Sequence, residues 1–143
     1  MDLRIGKVST VNYKTGMVSV IYEEESNAVT AKMPCLSFNG EYKMPKADDY
    51  VAVAYLSNGS SIGLILGSFW NETNKPLHSG KDVYFKELSP EAYILFENNT
   101  LTIKAPNIKV VSETPIEKEV KANGTEVYSR FQVKKYSRLA ILV

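Results

Sequence analysis

Apolar and polar residues alternate with a period of two along most of this chain, which is the spacing of side chains in β-strands. The clearest case lies in residues 42–76, where Val51, Val53 and Tyr55 share one face of a strand and small or apolar residues occupy the other. Asn58-Gly59 then separates two apolar runs, and Asn-Gly favours a tight hairpin turn. The pattern predicts a central β-hairpin that other segments cover on both faces.

The first ~70 residues are predicted to hold short strands joined by regular turns, with no helix. Gly63 and Gly67 interrupt the return strand of the hairpin, which predicts a bulge, a sharp bend or a close approach of the backbone. Such a pattern is typical of a small closed or half-closed antiparallel barrel, of which the OB-fold is the commonest small example. The predicted strands are residues 3–11, 17–22, 28–33, 51–56 and 62–70.

The second half is also predicted to be β-structure, after a polar linker at residues 71–80. Roughly four strands between residues 81 and 111 each carry one apolar stripe, and so few strands do not easily close a core alone. Oligomerisation is the simplest remedy, and a three-fold interleaved β-structure brings stripes from three chains onto one axis. The candidate residues of the intersubunit core are Tyr93, Leu95, Leu101, Ile103, Ile108 and Val110.

The last segment, residues 115–143, is less regular. Residues 116–122 suit either a short amphipathic helix or a polar strand, and residues 126–133 alternate as a strand does. The apolar end at residues 139–143 is expected to be either the last strand of a buried core or an intersubunit contact, because such a run is not stable in water.

Composition narrows the classes of function. The chain has 143 residues, a net charge of +1, 44% hydrophobic and 23% charged residues, which is typical of an ordinary folded protein and not of a disordered one. The near-neutral charge argues against electrostatically driven binding of nucleic acid. No apolar run approaches a membrane-spanning length, and no signal peptide is recognised, so a protein made in the cytoplasm that stays soluble is expected.

Candidate chemistry is sparse. Cys35 is the only cysteine and His78 the only histidine, which excludes an intrachain disulfide and a Cys/His metal cluster within one chain. With no nucleophile or phosphate-binding motif, an enzyme is not expected. The acidic run at residues 23–25 is interpreted as a solvated hairpin tip rather than a metal site.

An OB-type binding module is the alternative. Aromatic residues in the first half can stack on the bases of a single-stranded nucleic acid or on a glycan. Few lysines alternate with them on one strand face, however, so roles in the core or in an interface are favoured. The candidate stacking residues are Tyr13, Tyr22, Phe38, Tyr42 and Tyr55.

Several segments between residues 4 and 111 occur in a distinctive order. The most specific are Leu-Gly-Ser-Phe-Trp at 66–70, Asn-Lys-Pro at 74–76, and Ala-Tyr-Ile at 92–94 followed by Leu-Thr-Ile-Lys-Ala-Pro at 101–106. In order and spacing they resemble the phage baseplate assembly protein V family. That family forms the central spikes of contractile phage tails and tail-like bacteriocins, and is related to the VgrG spike of type VI secretion.

The resemblance implies an all-β protein with an N-terminal OB-fold barrel at residues 1–72, a linker at 73–82 and a trimerising β-rich spike domain at 83–143. The spike is implied to be an intertwined β-helix or β-prism of three chains. The implied partners are two further copies, a baseplate hub protein and the target cell envelope, with a separate tip protein as a further candidate. The implied location is the baseplate of a virion or tail-like particle, after synthesis in the bacterial cytoplasm.

Two departures from the family limit what the resemblance implies. Many members end in a His-x-His pair that binds iron at the trimer apex, and this chain has only His78, near the linker. No metal or other cofactor is therefore expected. Residues 112–143 match no pattern of the family, and no lysozyme-like domain is present. We therefore expect a purely structural protein, without enzymatic activity and without a nucleic-acid partner.

Overall fold

The chain is described by a computed structural model that covers residues 1–57 and 62–114, together with the backbone of three short strands beyond them. The described residues are almost entirely β-structure, so the predicted all-β class is confirmed. Besides the strands they contain one short 3₁₀ helix, Glu23–Glu25. The chain divides into two compact units, Met1–Lys75 and Pro76–Val143, which are described separately below.

The strands of the N-terminal unit are β1 (Asp2–Asn12), β2 (Met17–Tyr22), β3 (Ala28–Val29), β4 (Met33–Pro34), β5 (Tyr50–Tyr55) and β6 (Leu64–Ser68). Those of the C-terminal unit are β7 (Tyr84–Ser89), β8 (Ala92–Glu97), β9 (Thr100–Lys104), β10 (Asn107–Val111), β11 (Glu119–Val120), β12 (Glu126–Val127) and β13 (Arg138–Leu142).

The N-terminal strands form one antiparallel sheet that closes on itself. Its order is β3-β2-β1-β5-β6, and β4 also pairs with β2. Directly after β4, Cys35 makes a parallel bridge to Ile65 of β6, and Leu36 N donates to the carbonyl oxygen of Ile65 at 2.9 Å. The pairings therefore run round a ring, from β1 through β2, β4 and Cys35 to β6, then through β5 back to β1.

The hydrophobic core of this unit lies inside the ring. The alternation that the sequence shows puts every second residue of each strand on the inside. Eight buried side chains make up the core cluster, and four half-buried residues pack against it, two from strands and two from the segment between β4 and β5. The eight are Val8, Val18, Val20, Tyr22, Met33, Val51, Val53 and Ile65.

The predicted hairpin is present as β5 and β6, although residues 58–61, which include its Asn-Gly turn, lie outside the described residues. Gly63 approaches the core so closely that an added Cβ would lie 2.7 Å from Met33 Sδ. Gly67 has φ +133° beside a register shift in the β5–β6 pairing. Both glycine predictions, a close approach and a bulge, are confirmed.

Two details of the N-terminal prediction differ in the structure. The second face of the hairpin is covered only in part, since Ala54 there is buried but Leu56, just after β5, is half exposed. The single strand predicted at residues 28–33 is two short strands. Between them Thr30 Oγ1 accepts a hydrogen bond from Val20 N, so a side chain takes the place of the next backbone acceptor in the ladder.

The C-terminal unit contains a three-stranded antiparallel sheet of β7, β8 and β9. Asn98 and Asn99 connect β8 to β9, and both have positive φ, as a two-residue type I′ turn requires. In addition, β10 pairs with β13 in parallel, and β11 pairs with β12. The roughly four strands predicted between residues 81 and 111 are thus present as β7 to β10.

The predicted linker at residues 71–80 is partly ordered by its own hydrogen bonds. Asn71 Oδ1 accepts bonds from the backbone N–H groups of Thr73 and Asn74, both at 2.9 Å, which makes a compact turn. In the tail, Glu119–Val120 is a strand, which is one of the two alternatives predicted for that segment, and Arg138–Leu142 is also a strand. The side chains of residues 115–143, and thus the predicted contact of the apolar end, lie outside the described residues.

Candidate functional site

The three-stranded sheet of the C-terminal unit has one strongly apolar, solvent-exposed side, here called the open face. The register pairs Tyr84 with Phe96 and Phe96 with Leu101, so these three side chains form one row across the sheet. Lys86, Ile94 and Ile103 form the next row, so the open face also includes one lysine. Tyr84, Phe96, Leu101 and Ile103 are 58%, 41%, 61% and 55% exposed.

The opposite side, here called the covered face, carries an aromatic cluster. The ring of His78 lies 5.2 Å from that of Phe85 and 5.1 Å from that of Tyr93, and the latter two rings are 5.6 Å apart. His78 Nδ1 is 3.9 Å from a carboxylate oxygen of Glu97. The segment before β7 is thereby attached to the sheet, and Leu95 on this face is buried.

The six residues predicted for an intersubunit core do not share one face. Tyr93 and Leu95 lie on the covered face, whereas Leu101 and Ile103 lie on the open face. Ile108 and Val110 are half-buried on β10. Only Leu101 and Ile103 therefore contribute to the open face, and the assignment of all six to an intersubunit core stays a prediction. Sequence reasoning missed the other members of this face, Tyr84, Ile94 and Phe96.

The length of the turn after β8 is the feature of the sequence that could have shown that these residues lie on two different faces. With Asn98 and Asn99 as the turn, Glu97 pairs with Thr100, so odd-numbered residues of β8 pair with even-numbered residues of β9. Paired residues point to the same side of a sheet. The stripe of Leu101 and Ile103 must therefore face away from that of Tyr93 and Leu95.

In the N-terminal unit, Arg4 is the centre of a charged cluster. Its guanidinium lies 3.7 Å from the ring centroid of Tyr22, and Nη2 is 2.9 Å from Glu24 and 2.8 Å from Glu25. The hydrogen bond to Glu24, with a second to Glu25, raises the pKa of Arg4. The acidic run is therefore more than a solvated tip, since two of its carboxylates bind a strand residue that is distant in sequence.

A concavity of about 400 Å³ lies beside this cluster and is lined by Arg4, Tyr22, Glu25 and Tyr55 among others. The hydroxyls of Tyr22 and Tyr55 are hydrogen-bonded at 2.7 Å. Burial, together with that hydrogen bond, raises the pKa of Tyr22 well above its usual range. The polar groups of this concavity are mostly bonded to one another, so they hold the end of the sheet together.

The five candidate stacking aromatics divide into two groups. Tyr22 belongs to the core, and Tyr55 is half-buried against it. Tyr13, Phe38 and Tyr42 are exposed in loops, and the Tyr42 hydroxyl donates to the carbonyl oxygen of Tyr13 at 2.9 Å. The structure thus leaves three of the five with accessible rings.

Other candidate chemistry is limited in the part of the chain that the structure describes. Cys35 is half-buried, and this burial raises the pKa of its thiol, which makes the thiolate scarce at neutral pH. No three His, Cys, Asp or Glu side chains within the described ranges lie close enough to hold a metal ion. Among the described residues, no helix is long and apolar enough to cross a membrane.

A comparison with models of protein families and a search of curated proteins find no match for this chain. The assignment of function therefore depends on the resemblance of its segments and on the surfaces described above.

Proposed function

We propose that this chain is the central spike of a contractile tail baseplate, a homotrimer that docks on a hub protein and helps to pierce the target cell envelope when the sheath contracts. The observation that carries the proposal is the open face of the C-terminal sheet. A row of Tyr84, Phe96 and Leu101 in water is unfavourable for an isolated chain. Further copies of the chain would bury it.

Self-association through strands suits a mechanical role. Interleaved chains share main-chain hydrogen bonds, so the opening of one chain is resisted by its neighbours. In the three-stranded sheet β7 and β9 are the two edge strands, and an edge of a sheet is where a strand of another chain can be added. The specific role in a contractile tail derives from the resemblance to the baseplate family, and with it the baseplate location and the hub partner.

The N-terminal unit is consistent with the OB-fold barrel that the proposal includes. Counting β3 and β4 as one interrupted third strand, the ring runs first, second, third, fifth and fourth strand before it returns to the first. The contact between the third and fifth strands, Cys35 with Ile65, is parallel. This order and direction are those expected of a Greek-key barrel of the OB type, and they support that assignment.

The test is the solution mass of the full chain, measured by size exclusion with light scattering before and after mild heating. We expect a heat-resistant trimer for the wild type. Ile103→Asp places a charge on the open face and is expected to give mainly monomer, because an unpaired carboxylate is costly to bury.

The matched control is Thr100→Asp, which adds the same charge to an exposed position of the same strand but on the opposite face. It is expected to remain trimeric. A monomeric wild type, or an Ile103→Asp trimer as stable as the control, would contradict the proposed assembly. Far-UV circular dichroism verifies that both variants keep their β-structure.

A further inference from the structure

Three exposed aromatic side chains lie on two connected loops of the N-terminal unit. Tyr13, Phe38 and Tyr42 are 61%, 63% and 65% exposed. The segment that carries Phe38 is attached to the turn between β1 and β2 at both of its ends. Cys35 N donates to the carbonyl oxygen of Gly16 at 3.0 Å, and the Tyr42 hydroxyl donates to that of Tyr13.

The turn that carries Tyr13 is held by its own hydrogen bonds. Asn12 Oδ1 accepts bonds from the backbone N–H groups of Lys14 and Thr15, at 3.2 and 3.1 Å. The Gly16 N–H donates to the Asn12 carbonyl oxygen at 2.9 Å. A surface ordered in this way loses less conformational entropy when a ligand binds.

The backbone at Phe38 is unusual. Phe38, Asn39 and Gly40 have φ values of 45°, 60° and 100°, so three consecutive residues lie in the left-handed region. Asparagine and glycine tolerate that region, but a bulky aromatic residue seldom adopts it. Because most of the ring is in water, packing in the core does not account for this conformation. Strain of this kind is concentrated at ligand-binding sites.

The chemistry of the two loops favours an uncharged ligand. Ser37 and Asn39 flank Phe38 in sequence, and residues 13–16 and 35–49 together carry three lysines and three acidic residues, a net charge of zero. Such a low net charge does not favour the binding of a nucleic acid, because that binding depends on neutralising several phosphates of the backbone.

A glycan fits this arrangement. One side of a pyranose ring presents C–H groups that stack on the electron-rich face of an aromatic ring, and its hydroxyls bond to the polar residues between the rings. Tyrosine is suited to such contacts because it offers a large, rigid surface with a polar tip. We propose that Tyr13, Phe38 and Tyr42 form a binding surface for an uncharged glycan chain. This site is independent of the proposed trimer interface.

The experiment is isothermal titration calorimetry of the full-length protein with N-acetylchitohexaose, a soluble uncharged glycan. We expect saturable binding with a Kd of about 1 mM or tighter. Phe38→Ala and Tyr13→Ala each remove one stacking ring and should weaken binding by about tenfold. Trp70→Ala removes an aromatic residue of similar exposure outside the two loops, and it should bind as the wild type does.

Three results would overturn the proposal. The first is the absence of saturable binding of the hexasaccharide. The second is equal binding by the wild type and the Phe38→Ala and Tyr13→Ala variants, provided that circular dichroism shows all of them folded. The third is tighter binding of an oligothymidylate of about ten nucleotides than of the glycan at physiological ionic strength, which would assign the surface to nucleic acid.

Discussion

The two units of this protein differ in how far they bury their apolar side chains. The N-terminal unit closes its sheet into a ring and encloses a cluster of eight buried residues. In the described part of the C-terminal unit, Leu95 is the one buried hydrophobic residue, while four large apolar side chains of the open face are exposed. The first unit completes its core within one chain, whereas the described part of the second leaves large apolar side chains exposed.

This difference follows from topology rather than composition. Both units consist of strands with alternating apolar residues, but within the described residues only the N-terminal sheet returns to its own edge, through the bridge between Cys35 and Ile65. A small closed sheet encloses an interior that its own side chains fill, so water is excluded from it. An open sheet of three strands has two sides, and among the described residues the aromatic cluster around His78 covers part of one of them.

The strongest test of the comparison is to express the two units separately. Residues 1–75 are expected to fold as a monomer with one cooperative urea transition, because their core is complete. Residues 76–143 are expected to be unfolded when dilute and to gain structure only as they associate. Circular dichroism over a range of concentrations measures this, and a stable folded monomer of residues 76–143 would invalidate the contrast.

A smaller effect is expected from overfilling the N-terminal core. In Gly63→Ala the new methyl group would lie 2.7 Å from Met33 Sδ and 2.8 Å from a methyl carbon of Val53. Such crowding is expected to lower the free energy of unfolding by about 1–3 kcal/mol, as measured by urea denaturation. The control Ser68→Ala changes an exposed residue of β6, and a comparable loss in both variants would mean that crowding is not the cause.

The smallest predicted effect is a decline of stability in alkali that originates in the N-terminal unit. A tyrosine in the unfolded chain ionises near pH 10, whereas burial raises the pKa of Tyr22 in the folded state. The unfolded state therefore releases this proton first, and stability falls as the pH rises above about 10. Tyr22→Phe should show a shallower decline in urea midpoints between neutral and alkaline pH. An equal decline in both proteins would exclude Tyr22 as its source.

Local features of the fold were predictable from the sequence because they depend on neighbouring residues. The alternation in β1, β2 and β5 gave strands close to the observed ones, and Gly63 and Gly67 indicated a close approach and a bulge. The side chain of Thr30 divided a strand that alternation alone would have made continuous. Short-range patterns contain no information on such a competing side-chain hydrogen bond.

Features that join distant segments were not predictable in the same way. Arg4 binds Glu24 and Glu25, about twenty residues away, because the pairing of β1 with β2 brings them together. The division of Leu101 and Ile103 from Tyr93 and Leu95 depended on a turn of two residues, where one residue more would have reversed it. The left-handed backbone conformation of Phe38 could not be predicted from its residue type, because a bulky aromatic residue seldom adopts that region.

The closed sheet of the N-terminal unit has the fewest strand pairings where Cys35 bridges to Ile65. Elsewhere in the ring neighbouring strands share two or more residue pairs, but here the seam consists of one isolated bridge. Transient opening of the unit should begin at this seam, and it would expose more of the Cys35 thiol, which is half-buried in the closed sheet. Conditions that favour opening, such as low concentrations of urea, should therefore raise the rate at which an alkylating reagent modifies Cys35 before the unit unfolds globally.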